Sequence, residues 1–355
     1  MKKSLLVASL SFVLLGAGCL GGSSTPAGVG GIYGSINGGK SWTGMNALPL
    51  ATGVSTISGA DILALEKDPS NSNVIYAGTL ANGLLTSFDA GKSWQRPAED
   101  KAFDLVRIGA VLDVEVNPKA PCTFYVLKTD RLMKTDTCGR TYNTEAYKEG
   151  RATEKLTAMA LDWFNPQSVW LGTTAGDVFH STDGGATWAT ADRLKDDVSA
   201  IEISNSDSRV VMVGTLRRGL VRSIDAGVTW TDFDKDFTSY KKSAYVHGFA
   251  QTNDGKTLVM SSDFGLLKSE DTGATWKPVT LVTASGEVKI KAVGVAPKNG
   301  NIMVYGTDTT MYRSVNGGVA WTTSGLPTTR SASVILFSTD DENVMMLGVQ
   351  APPKK

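Results

Sequence analysis

The sequence predicts an all-β fold, a seven-bladed β-propeller of four-stranded antiparallel blades, with N-terminal and C-terminal strands sharing one blade and closing the ring. Three observations predict it. An octet of the form Ser-x-Asp-x-Gly-x-Thr-Trp recurs along the chain, its closing aromatics at Trp42, Trp94, Tyr142, Trp188, Trp230, Trp276 and Trp321, so that the period runs from 42 to 52 residues. A fixed period of this size marks a repeat architecture and has to be settled before any local motif is believed. Each period also has the same internal order of short apolar runs and turns, and the two ends of the chain carry complementary fractions of one unit.

The clearest unit begins Ile62-Leu-Ala-Leu-Glu-Lys, turns at Asp-Pro-Ser-Asn, continues as Val74-Ile-Tyr-Ala-Gly-Thr, turns at Ala-Asn-Gly and ends Leu84-Leu-Thr-Ser before the octet. Proline presets φ, glycine supplies positive φ, and Asp or Asn bonds its own backbone, so these punctuators read as tight turns between antiparallel strands. The octet joins the third strand to the fourth. Its third position carries Asn37, Asp89, Thr137, Asp183, Asp225, Asp271 and Asn316 in the successive copies. A carboxylate or amide there accepts backbone N–H groups inside the turn, and the closing aromatic packs on a neighbouring sheet. A calcium loop would need several oxygen ligands at alternate positions, which an octet with one carboxylate or none does not supply. The octets are therefore structural turns. One strand, Gly31-Ile-Tyr-Gly34, precedes the first octet, and two follow the last, Ser333 to Ser338 and Asn343 to Gly348. Together these complete one blade and remove the edges an open array would expose.

The octets resemble the Asp-box, or BNR, repeat, and the resemblance covers essentially everything after residue 30. The wider block is similar to the propellers of bacterial photosystem II assembly/stability-factor-like proteins and of the sortilin ectodomain. Asp-boxes also occur in sialidases and in xyloglucan-cleaving glycoside hydrolases. The resemblance implies the fold and is nearly silent on function.

The N-terminus opens Met1-Lys-Lys, followed by an apolar run from Leu5 to Gly18. That run is too short to span a bilayer and reads as a secretory signal. Leu15-Gly-Ala-Gly-Cys19 resembles a bacterial lipobox, which implies a lipid on Cys19. The expected organisation is a lipoprotein signal peptide at 1–18, a flexible linker at 19–30, the propeller at 31–350 and a tail at 351–355. The expected location is the cell envelope, anchored to the outer membrane in a diderm, since no Asp follows Cys19, or to the outer face of the cytoplasmic membrane in a monoderm. Export makes the remaining pair, Cys122 and Cys138, a candidate disulfide. The register sets them on adjacent strands, and the bridge is expected to compensate for the turn bonds that Thr137 fails to supply.

With 35 basic and 35 acidic residues, the chain is formally neutral, and no basic stretch exceeds a pair, which argues against nucleic-acid binding. Two histidines without a paired spacing give zinc no foothold, and no Gly-x-Ser-x-Gly elbow is present. No metal and no cofactor are expected. Sialidases carry an early Arg-Ile-Pro stretch, whereas here the nearest approach is Arg107-Ile108-Gly109. Xyloglucan-cleaving enzymes place two carboxylates between two propellers, and this chain has length for one. The chain is thus expected to be a monomeric, non-catalytic propeller acting as a protein-binding or assembly-factor-like scaffold. A glycan-directed hydrolase or lectin is the alternative. Any docking surface is expected opposite the octets, where the long connections and short second turns carry Arg107, Arg131, Tyr147, Arg151, Arg193, Arg217, Arg218, Tyr240, Lys241 and Lys242. Tyr and Arg are enriched at interface hot spots, which is what recommends this face.

Overall fold

Seven small antiparallel sheets stand side by side in the computed structural model, which describes residues 28–97, 104–142, 144–233 and 237–352. The first blade runs from its inner strand outward as Ser331–Phe337, Met345–Gln350, Gly31–Ser35 and Thr43–Gly44, so the two ends of the chain meet in one sheet through Tyr33 opposite Leu347. The inner strands of the next six blades are Ile62–Lys67, Asp113–Val116, Leu156–Leu161, Val198–Ile203, Val246–Gln251 and Ala292–Ala296. Each inner strand packs on the next around a full circle, from Ser331–Phe337 through Ala292–Ala296 and back. The expected ring and its shared blade are both present.

Two details depart from seven equal units. In the second blade the fourth strand is represented, among the described residues, by a single Thr86–Gln95 pair. An extra hairpin, Ala47–Leu50 with Gly53–Thr56, is inserted between the first and second blades. This insertion accounts for the longest spacing between octets, from Trp42 to Trp94.

The octets close by a repeated set of bonds. The fifth-position glycine N–H donates to the hydroxyl of the first residue, at 2.8 Å from Gly91 to Ser87, and the seventh-position N–H donates to the third, at 2.8 Å from Ser93 to Asp89 Oδ1. In the Asp copies the seventh hydroxyl adds a bond to the second carboxylate oxygen, 2.6 Å from Thr187 to Asp183. These donors, the Thr187 hydroxyl first among them, hold the Asp183 carboxyl down at about 2. The fourth residue has φ between 54° and 71° and the fifth between 74° and 89°. The first of these lies in the left-handed well that Ala90, Cys138 and Thr272 can enter at some cost, while the second is glycine in all seven copies. The degenerate copy keeps the pattern. Thr137 Oγ1 accepts the Thr141 N–H at 2.9 Å, and Gly139 donates to Thr135 Oγ1 at 3.1 Å. Cys122 and Cys138 are joined by a disulfide, but the turn bonds it was expected to replace are made by a hydroxyl standing in for the carboxylate.

The apolar core lies in the seams between blades rather than at one centre. Tyr76 and Leu84 of the second blade, for example, share a cluster with Val114, Phe124 and Val126 of the third. The octet tryptophans bind these seams. Trp94 donates its indole N–H to Met45 O, Trp188 to Ala146 O and Trp321 to Thr280 O, each on the preceding blade's outer side. On the inner side, glycines of the second strands let neighbouring blades close up. A Cβ on Gly172 would stand 2.3 Å from Val198 Cγ1 of the next blade, and one on Gly214 would stand 2.4 Å from Val246 Cγ1. Gly172→Ala is therefore expected to overpack the seam and cost about 1–3 kcal/mol in denaturant unfolding. Gly150→Ala, with nothing within 4 Å, is the matched control and should cost far less.

Candidate functional site

Three regions of the ring can bear function: the face opposite the octets, the central channel and a groove between the first two blades. On the first, the turns and connections begin with acids that bond nearby backbone N–H groups, and these acids capture the arginines. Arg131 pairs with Asp130 and Glu145, Arg151 with Glu149 and Asp177, Arg193 with Asp177, Arg217 with Asp196 and Asp197, and Arg218 with Asp232. Asp196 also accepts the backbone N–H groups of Arg217 and Arg218, at 2.6 and 2.8 Å. The Arg151 guanidinium holds the Glu149 carboxyl down at about 2.

The tyrosines are similarly engaged. Tyr147 packs between Phe179 and Trp188 at 5.3 and 5.6 Å, and burial pushes its hydroxyl up to about 12. Tyr240 sits 5.2 Å from Phe264. Arg107 ends a short helix, Asp104–Arg107, and is half-buried. Lys241 and Lys242 are exposed beside a small cavity of about 220 Å³. The arginines and tyrosines expected on the docking surface opposite the octets are thus largely engaged with neighbouring acids and aromatic rings, because pairing across loops is a matter of space rather than of spacing in the chain. Cys19 lies outside the described residues.

The channel carries a layer that sequence reasoning missed. Glu66 stands opposite Tyr76, Glu115 opposite Tyr125 and Glu202 opposite Met212, the same register position in the second, third and fifth blades. The fourth blade puts Ala160, opposite Trp170, at that level, and Asp113 sits two residues before Glu115. Gln251 of the sixth blade donates to Glu202 and, at 2.7 Å, to Ile203 O. These four carboxyl side chains are only partly exposed, and the protein atoms crowded around them disfavour their charged forms. Burial above all, with Asp113's charge next, pushes Glu66 up to about 8, and burial pushes Asp113 and Glu202 each to about 7. Glu115 is raised well above its ordinary value by burial and then by its three acidic neighbours. Aligning the repeats by register, rather than scanning for adjacent acids, would have revealed three glutamates at one position.

The third region is a groove of about 540 Å³ at the octet end of the seam between the first and second blades. Ile36, Met45, Ile75, Phe337 and Met346 form apolar walls, and Lys67, Lys92 and Asp340 supply charge. Lys67 donates to Thr339 Oγ1 at 2.7 Å, and its burial lowers its pKa. A groove of this size falls within the range of small-molecule and peptide sites, and thioethers on its walls let it adapt to varied apolar side chains. Elsewhere, His180 stacks on Trp170 at 3.8 Å and bonds Ser168, which accounts for it structurally. Among the described residues no group of three or more His, Cys, Asp or Glu side chains could hold a metal.

No family model matches the chain, and no curated protein does. Solved structures do. A GH74 xyloglucanase from Xanthomonas campestris is similar with a TM-score of 0.66 at 15% identity, over 82% of this chain and 51% of that one. A GH74 enzyme from Niastella koreensis gives 0.65 at 16% identity, over 90% and 53%. A structure of YCF48 bound to D1 peptide gives 0.61 at 15% identity, over 83% and 94%. The chain spans about half the length of those two glycoside hydrolases and nearly the full length of YCF48. At such identities the likeness concerns the fold, a seven-bladed propeller that serves both enzymes and a peptide-binding protein.

Proposed function

We propose that this protein is an exported, lipid-anchored, non-catalytic propeller that binds protein segments at the cell envelope, in the manner of an assembly factor. The observation that carries this reading is the methionine-walled groove between the first and second blades. It is open, largely apolar and flanked by Lys67 and Lys92, a chemistry suited to a segment with apolar side chains and an acidic group. The D1 peptide bound to YCF48 supports it as a precedent on the same fold. Ile36→Asp combined with Lys92→Glu is expected to abolish capture of envelope partners by the lipidated protein while leaving its melting temperature unchanged. Lys241→Glu with Lys242→Glu should leave capture intact. Capture that survives the first pair and is lost with the second would move the binding surface to the opposite face and overturn this assignment.

A second reading is favoured by the channel. A carboxyl held near pH 7–8 by burial is suited to general-acid chemistry, and Glu66, Asp113 and Glu202 have that character. The fold's likeness to GH74 enzymes makes a β-glucan the substrate to try. Release of oligosaccharides from xyloglucan by the wild type, and its loss in Glu66→Gln or Glu202→Gln, would replace the scaffold reading with a glycan hydrolase.

A further inference from the structure

We propose that the face opposite the octets lies against the lipid bilayer, so that the octet face and its groove point away from the membrane; this rests on the lipid-anchor reading of Cys19. The chain enters the ring on that face. Gly31 pairs with Val349 at the end of its strand remote from the octet. Just before it, Gly28 O accepts the Arg330 Nε–H at 2.7 Å, while Val29 O accepts the Thr328 hydroxyl at 2.6 Å and the Tyr33 hydroxyl at 2.9 Å. These bonds fix the exit point. From Cys19 to Gly28 the chain has nine steps, at most about 32 Å when fully extended. To bring the octet face to the bilayer, the tether would have to pass outward across the blade and climb its side. Strands of five or six residues alone set the two faces about 20 Å apart, and crossing two strand spacings adds roughly 10 Å before any turn is counted. That path exhausts the tether.

The surface around the exit suits the placement. Val29, Leu80 and Ile108 are 58%, 50% and 65% exposed. The segments that carry them are linked to one another. Leu80 N–H donates to Asp61 O at 2.9 Å, Asp61 holds Arg330, and Gly109, next to Ile108, donates to Ala81 O at 3.0 Å. An apolar rim beside a short lipid tether gains contact with the interface each time the anchor inserts.

The test uses full-length protein purified from membranes and reconstituted into phosphatidylcholine vesicles containing a headgroup spin label. A fluorophore is placed on Leu80→Cys or Ile108→Cys on the one face, and on Ile36→Cys or Val319→Cys on the other. With the faces about 20 Å apart, emission from the first pair is expected to fall about twofold and that from the second to stay close to its value without spin label. Mass analysis of the N-terminal fragment reads the anchor separately. A lipidated Cys19 with equal quenching on both faces, or stronger quenching on the octet face, overturns the orientation and leaves the anchor standing. An unmodified Cys19 overturns the anchor and the orientation with it.

Discussion

Asp61→Ala is expected to cost about 3–5 kcal/mol of stability, the largest loss for any single side chain at the ring's closure. Asp61 stands just before the inner strand of the second blade, and Arg330 just before that of the first. Their side chains are only 21% and 10% exposed and form an ion pair. The same carboxylate oxygen accepts the Ala351 N–H at 2.6 Å, where the last strand ends, and the Arg330 Nε–H holds Gly28 O, where the first begins. One side-chain pair thus gathers both ends of the chain and the seam on which closure depends. Removing Asp61 leaves a buried guanidinium without its anion, and that uncompensated charge is the source of the cost. Asp61→Asn keeps the shape and an acceptor for Ala351, so it should fall between Ala and the wild type. Urea unfolding of the three proteins reads the order, and a loss for Asp61→Ala below about 1 kcal/mol would put the pair among ordinary surface bridges.

What the sequence made legible follows from what repeats. Seven octets, each tied to the same run of strands, determine the blade count and the shared blade, because the turn chemistry of Ser87, Asp89 and Gly91 is local and recurs. The Ser87 hydroxyl was part of the pattern, but its work as acceptor for the Gly91 N–H needed the turn geometry. The hairpin from Ala47 to Thr56 stayed hidden because it occurs once and left only a lengthened period. The pairing of the arginines stayed hidden for a different reason. Arg151 and Asp177 are 26 residues apart and belong to different units, so nothing in the chain order announces their bond. Likewise Glu66, Glu115 and Glu202 each look like the polar side of an alternating strand. Only closure of the ring brings these polar positions inward, where a solvated face becomes a shared, confined channel.

That channel gives the protein a stability that should fall as pH rises from about 4 to about 8. Glu66, Asp113 and Glu202 hold their protons up to about 8, 7 and 7 in the folded state, and Glu115 is raised as well. In the unfolded chain the same groups release protons near their ordinary values, 4.5 for Glu and 3.8 for Asp. Below those values both states are protonated and the contribution is complete. Between them and the folded values, the folded state binds more protons than the unfolded one, so each rise in pH weakens it. Above the folded values the contribution is gone. A carboxyl that keeps its proton through one further pH unit on folding contributes about 1.4 kcal/mol, and mutual repulsion among the acids is shared rather than additive. Glu115→Gln retains the shape but cannot ionise. It removes one charge and the repulsion that charge exerts on Glu66 and Glu202, so the variant should gain stability at pH 8.5, little or none at pH 5, and show a shallower pH slope. Thermal melts of both proteins across this range decide the matter. A wild type whose melting temperature holds steady from pH 5 to 9, or a variant with an unchanged slope, would mean that water reaches these carboxylates freely and that the channel is an open, solvated pore.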